Sequence, residues 1–492
     1  MVQRAGHIRG KVVATFRGWR REELAMRGLL DGHGNPITGD ADAVALYDRA
    51  IDRLVRFHPD VLDLAGELAG AADPVPMASV LVAYLNLMST DVADVAAAAE
   101  AHAALAGCEA NDRERAHAAA IGAWLAGDWG GAAGRLDDLL VQWPTDVLAL
   151  MLGHQLDFFT GEAASLRDRP LRALRALDPQ HPHAPFVRGM TAFGLEEAGD
   201  YGAALDAGRA AVAANPDDVW AVHAVVHTYE MQGRVDEGIA FLRSDETRWE
   251  SGNLFTVHNW WHLALYELEA GRPERALAIY DAEVHHAASL GVPIEMLDAS
   301  ALLWRLRLDD ADTGGRFAPL ADAWAAKGAA TPWYVFNDLH AVMAGAGAGR
   351  LDQAGAIVDR LGAWLPEATG SNAAMTAEIG LPACRAVVAF AEDRHDDVVA
   401  ELLPIRRVLH HFGGSHAQRD ALQRTLLESA LRGGHLRLAR ALTAERLGVR
   451  ETSVYGWTQW ARVLRGLGDE HGAAEADVNA AAHRRRFAAV VD

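Results

Sequence analysis

One phrase recurs along the chain at a near-constant interval, and that period constrains the fold more than any other feature. An apolar stretch ends in glycine, a polar residue and a spacer follow, and small residues then return at helical spacing. The copies are Gly127-Asp128-Trp129, Gly161-Glu162, Gly199-Asp200-Tyr201, Gly233-Arg234-Val235, Gly271-Arg272-Pro273, Gly349-Arg350-Leu351, Gly434-His435-Leu436 and Gly468-Asp469-Glu470. From Gly127 to Gly271 the gaps alternate between 34 and 38 residues, and Gly434 to Gly468 is again 34. The 78 residues between Gly271 and Gly349 leave room for two units, with the intervening turn near Asp310–Gly315. Such a period holds two helices of roughly three to four turns each, with short connections. Glycine, lacking Cβ, takes the left-handed conformation that stops the first helix. The clearest copy runs from Gly199 to Pro216, where Ala203, Ala204, Ala207 and Ala211 form a small-residue stripe and Asn215-Pro216 ends the second helix.

A lone hairpin of this kind cannot bury its apolar face, so units must stack into a continuous core. The expected fold is all-α: a right-handed α-solenoid of tetratricopeptide-like antiparallel helix pairs. Residues 41–492 are read as a single superhelix and 1–40 as an N-terminal extension. The chain has 492 residues, too many for one compact core of ordinary size. Its hydrophobic content is 50%, dominated by alanine, the best helix former, with aromatics at 7%. No useful length alternates like a β-strand, and only Ala344–Gly349 is locally glycine-rich.

The formal net charge of −21 repels phosphate backbones and anionic lipid heads, so neither nucleic acid nor membrane is an expected partner. Cys108 and Cys384 make no disulfide framework and suit a reducing compartment. The most apolar stretch, Met77–Met88, is about half of the roughly 20 residues a membrane span needs. Arg4, Arg9, Lys11, Arg17, Arg20 and Arg21 are scattered with no long apolar run after them, which does not read as a signal peptide. A cytoplasmic protein is expected, and the alanine-rich surfaces are compatible with a homodimer. Phosphate-loop, dinucleotide-fold and nucleophile-elbow motifs are missing, as is any Cys-x₂-Cys pair.

Candidate chemistry lies on the first helices, which line a solenoid's concave face. His223, His227 and Glu230 stand at i, i+4 and i+7, and His258 and His262 repeat the i, i+4 step in the next unit. Four imidazoles and one carboxylate should therefore converge, and these five are the catalytic candidates. Trp260 and Trp261 face about 100° apart, so one packs in the core and Trp261 can wall the site. His340 precedes Gly349 by nine residues, as His262 precedes Gly271, which places it with Asn337 and Asp338 near the same height. Any one inward His can be a hydrogen-bonded core residue; two His-x₃-His pairs on adjacent helices are harder to account for that way.

The spacing also fits a divalent metal held by His223, His227, His258 and His262. The residue after His223 is Ala224, where zinc proteases place Glu. A metal-free network using imidazole as donor, acceptor and general base is the favoured reading, and no cofactor is assigned. Further along, Gly413-Gly414-Ser415-His416-Ala417-Gln418-Arg419-Asp420 opens a helix running to about Leu431. Ser415 and Gln418 form a capping box, and the amides after two glycines make an anion seat that Arg419 can complete. His416, Arg419 and Asp420 join Trp261, Asn337, Asp338 and His340 as ligand-binding candidates. His117 and His154 read as polar core packing, and His285-His286 and His410-His411 as solvated or helix-end residues.

The runs HAVVHTYEMQGRVDEG (223–238), HNWWHLALYELEAG (258–271) and GGSHAQRD (413–420) resemble the tetratricopeptide repeat protein 38 family. Asp31-Gly-His-Gly-Asn-Pro36 and Tyr47-Asp48 are similar to that family as well. The likeness covers most of the chain and implies a single superhelical domain; it implies no activity. The leading functional reading is a small-molecule site enclosed by the superhelix, using His acid–base chemistry on a polar or anionic substrate. A peptide- or protein-binding repeat scaffold is the alternative, and a structural assembly protein is third.

Overall fold

A computed structural model describes residues 29–71, 74–250, 252–328 and 331–488; the basic residues Arg4–Arg21 lie outside them. Four helices come first: α1 (Ala41–Val55), α2 (Val61–Ala69), α3 (Pro76–Met88) and α4 (Val95–Ala104). Hairpins follow: α5 (Asp112–Leu125) with α6 (Trp129–Gln142), α7 (Val147–Thr160) with α8 (Ala163–Ala176), and α9 (Ala184–Glu197) with α10 (Tyr201–Ala214). Next come α11 (Val219–Met231) with α12 (Val235–Ser244), α13 (Thr256–Glu269) with α14 (Pro273–Ile279), α15 (Pro293–Leu308) with α16 (Phe317–Ala326), and α17 (Val335–Gly347) with α18 (Leu351–Trp364). The last units are α19 (Ser371–Ala391) with α20 (His395–Ile405), α21 (His416–Arg432) with α22 (Leu436–Val449), and α23 (Val454–Gly466) with α24 (Glu470–Ala488). The fold is an all-α solenoid of tetratricopeptide-like pairs.

The local causes are those of the repeat phrase. All eight phrase glycines lie at positive φ, between +66° at Gly233 and +84° at Gly199. Asp128, Asp146, Asp200 and Asp218 cap the helices that follow them by accepting from backbone N–H groups of the first turn. Two turns escape the glycine pattern: Asp310 (φ +57°) between α15 and α16, and Asp393 (φ +56°) between α19 and α20. Aspartate tolerates the left-handed region better than most residues, so the period continues through the gaps 271–349 and 349–434.

The inner helices are buried on all sides: every residue of α11 from Val219 to Glu230, and of α13 from His258 to Glu269. The reason is that the second half of the chain folds back on the first. Ser371 donates its N–H to Gly127 O (2.9 Å) and accepts at its hydroxyl from Trp129 N–H (3.0 Å). The Thr452 hydroxyl donates to Gly233 O (2.6 Å). Gly161 meets the His410 carbonyl so closely that a Cβ there would sit 1.7 Å from its oxygen. Helix α21 packs against both α11 and α15, where Trp304 Nε1–H donates to Thr425 Oγ1 (2.9 Å). The concave face is therefore largely core.

Strands β1 (Leu29–Leu30) and β2 (Pro36–Ile37) pair antiparallel. The turn between them is anchored by Arg113 of α5, 1% exposed, which pairs with Asp31 (3.0 Å) and Asp146 (2.6 Å) and donates to Pro36 O and Tyr47 Oη (both 3.1 Å). Residues 31–37 are thus joined to the repeats they precede. Among the described residues one helix, α19, is long and apolar enough to cross a membrane, a longer apolar element than Met77–Met88; 67% of its most apolar window lies inside the packed body.

Candidate functional site

Helices α11 and α13 are the first helices of adjacent units, so side chains at matching heights face each other. Ring centroids lie 4.3 Å apart for His223–His227, 4.4 Å for His227–His262, 4.8 Å for His258–His262 and 4.9 Å for His223–His258. One ligand atom from each of the four rings lies within 4.8 Å of every other. All four are buried, with aromatic walls from Phe193, Phe255 and Trp261, the last stacked on His258 at 5.1 Å.

The hydrogen bonding is uneven. His258 Nδ1–H donates to Asp298 Oδ2 at 2.7 Å, and His262 Nδ1–H to Glu230 Oε2 at 2.9 Å. Both nitrogens of His223, both of His227 and Nε2 of His262 are buried with no hydrogen-bond partner among the described residues. Each such polar atom costs about 1–3 kcal/mol. A carboxylate on the far nitrogen of a ligating imidazole is the usual support of a metal site, and Asp298 and Glu230 stand in that position.

Burial sets the charge states. It drives His223 and His262 well below the usual imidazole range, and the neighbouring imidazoles add to the effect. Burial likewise lowers His227 to about 4, with Glu230 pulling the other way. His223, His227 and His262 are thus neutral near pH 7, the form that ligates. Burial pushes Glu230 up to about 7 against the pull of Arg450, and raises Asp298 against the pull of His258. Four imidazoles without a thiolate suit zinc, copper, iron or nickel.

The other residues expected at this site are distributed elsewhere. Arg419 donates to Glu197 Oε2 (3.0 Å) and to the carbonyls of Gly413 and Gly414, so its guanidinium closes the glycine turn. The anion on the N-terminus of α21 is the protein's own Glu197, which accepts from His416 N–H at 2.8 Å. A cavity of about 220 Å³ adjoins this spot, lined by Glu197, Arg419, His410, Phe158 and His416, whose side chain is 37% exposed. Asp420 faces Arg446 (2.6 Å) and Arg450 (3.4 Å), which hold its carboxyl well below the usual range against burial.

His340 donates from Nδ1 to Phe336 O (2.7 Å) and stands apart from the four. Asn337 donates to Thr90 O (3.0 Å), and Asp338 pairs with Arg360 (2.8 Å) and is raised to about 6 by burial; both line a separate cleft of about 350 Å³ beside Trp324 and Trp333. Equal height in the repeat brings residues together on adjacent units. Helix α17 is two units beyond α13, and each unit's rotation turns it away. Trp260 and Trp261 are both core residues, 6% and 0% exposed. His117 pairs with Asp146 (3.0 Å), whereas buried His154 has no hydrogen-bond partner and meets Phe193 and Trp220 edge-on.

Sequence reasoning overlooked Glu196, Glu197 and Asp298. Glu196 had a signal: it precedes Gly199 by three residues, as Glu230 precedes Gly233. Asp298 had none, because its unit turns at Asp310 rather than at a glycine.

No family model matches the chain. Solved structures similar to it include the human IFIT1 dimer with m7Gppp-AAAA, at 11% identity over 92% of this chain and 95% of that one, with a TM-score of 0.39. The human IFIT1 dimer with PPP-AAAA gives 12% identity, the same coverages and a TM-score of 0.37. Naa15/Naa10 bound to HypK-THB gives 13% identity over 92% of this chain and 65% of that one, at 0.23. IFIT1 and Naa15 are tetratricopeptide-like helical repeat proteins, and the likeness goes no further than that general architecture. The expectation that nucleic acid is excluded as a partner does not stand, because it rested on net charge alone. A net charge of −21 averages over the whole surface, whereas binding depends on local groups, so it excludes no partner by itself.

Proposed function

We propose that this chain is a metal-binding, tetratricopeptide-like protein in which His223, His227, His258 and His262 hold one transition-metal ion. We also propose that the centre acts on a small polar molecule admitted through the cavity beside His416 and Glu197. The observation that carries the reading is the set of five partnerless imidazole nitrogens, buried in one place and flanked by His–carboxylate pairs at Asp298 and Glu230. Evolution of a plain core would fill this space with apolar side chains, which avoid the desolvation cost altogether. Neutral imidazoles confer no charge on the ion, so the two carboxylates behind them supply the balancing negative charge. An ion that admits a fifth ligand there would polarise a carbonyl or phosphoryl oxygen of the bound molecule. The runs that resemble the tetratricopeptide repeat protein 38 family supply all four ligands and Glu230, and on those runs we place the chain with that family, as a single domain.

The test is metal retention by the full chain. Protein stripped with chelator and reloaded with Zn²⁺ should keep stoichiometric zinc through gel filtration. His223→Gln and His262→Gln should lose most of it while retaining the helical circular dichroism spectrum. Wild-type protein that emerges without zinc overturns the proposal.

A further inference from the structure

Beside the four-histidine position lies a second cluster that the reading above does not use. Glu196 and Glu197 end α9, and one ligand atom from each lies within 4.8 Å of the other and of one from His227. Glu196 is 0% exposed, and neither of its carboxyl oxygens has a hydrogen-bond partner among the described residues. Arg419, whose charge also acts on Glu196, makes its ion pair with Glu197. His227 Nδ1 stands 3.5 Å from Glu196 Oε2, too far and too poorly aimed for a hydrogen bond. In this Glu196 differs from Asp298 and Glu230, which hold their histidines at 2.7 and 2.9 Å.

Resting on the metal-binding reading, we infer that Glu196, Glu197 and His227 form a second cation position, so that the centre holds two divalent ions with His227 between them. A buried carboxylate without an ion pair is costly enough that it is protonated, paired or given to a metal. A cation here occupies both free oxygens of Glu196 and the Nδ1 side of His227. The donor set differs from its neighbour: two carboxylates and one imidazole suit an oxygen-seeking ion such as Mn²⁺ or Zn²⁺. His227 has two unpaired ring nitrogens, one for each position. A neutral imidazole carries one lone pair and one N–H, so ligating both ions at once releases that ring proton to solvent. Glu197 also lines the 220 Å³ cavity, which puts the second ion on the side from which a small molecule arrives.

Metal stoichiometry of the full chain separates the outcomes. Chelator-stripped protein dialysed against Mn²⁺ or Zn²⁺ alone should take up two ions per chain. Glu196→Gln should bind one, His262→Gln should keep the ion at the carboxylate position, and His227→Gln should lose both. Cadmium-113 NMR of the wild-type protein needs no variant and should show two resonances of different ligand character. One ion in wild type, unchanged by Glu196→Gln, and one cadmium resonance overturn this inference and leave the four-histidine site standing. One ion lost with Glu196→Gln but kept in both His258→Gln and His262→Gln instead removes the four-histidine site.

Discussion

Replacing Asp298 by Asn tests whether the carboxylates behind the histidines serve a metal or merely fill space. Asp298 is 0% exposed, and its Oδ2 accepts from His258 Nδ1–H at 2.7 Å. Asparagine keeps the shape, and its amide oxygen still accepts, so what disappears is the charge. A hydrogen bond to a charged group contributes about 1.5–3 kcal/mol against about 0.5–1.5 for a neutral one, a difference of about 1–1.5 kcal/mol. Loss of such a supporting carboxylate costs on the order of 10–100-fold in metal affinity, or about 1.4–2.7 kcal/mol. Competition against a chromogenic zinc chelator reads this directly. The metal-free protein should behave differently: Asp298 Oδ1 has no partner and burial raises the carboxyl, so removing the charge leaves apo stability equal or higher. Zinc affinity equal to wild type, or an apo melting temperature that falls in step with affinity, would refute the reasoning and make Asp298 a packing residue.

Closure of the second half of the chain on the first predicts unequal costs at two equivalent glycines. Gly199→Ala (φ +84°, nothing within 4 Å) should cost the left-handed strain of about 1–2 kcal/mol in urea unfolding, whereas Gly161→Ala (φ +74°) also meets the His410 carbonyl and should cost clearly more; equal costs contradict the closure. Burial lowers His154 to about 3 and His227 and His340 to about 4, so between pH 6.5 and 4 the unfolded chain binds protons that the folded one does not. Metal-free protein should have this stability in full above pH 6.5 and lose it as pH falls toward 4; a flat profile in urea titrations contradicts that. Arg113→Ala strands Asp31 and Asp146 in the interior and should cost about 3–5 kcal/mol, with residues 29–37 opened to protease; digestion like wild type contradicts it.

The hairpins were legible because their cause is local. Each phrase glycine needs positive φ, and each of the eight has it. Asp310 and Asp393 make the same turn without the marker, so their units were found only by interval or not at all. Convergence of His223 and His227 with His258 and His262 follows from register on adjacent helices, a nearest-neighbour property that spacing reports. The positions of His340, Asn337 and Asp338 depend on rotations accumulated over two units, which spacing does not report. The same holds for α21 inside the superhelix. Its N-terminus offered a recognisable anion seat, but Glu197, 219 residues from His416, occupies it. The charge argument against nucleic acid failed for a different reason: it used a global sum where local groups decide.

The central claim is that four imidazoles hold one ion, and X-ray absorption at the zinc edge of zinc-loaded wild-type protein tests it most directly. The account predicts nitrogen neighbours at about 2.0–2.1 Å with the multiple-scattering signature of several imidazoles, weakened in His258→Gln and His262→Gln. Zinc coordinated without imidazole, or a spectrum identical in the wild type and both variants, would contradict it.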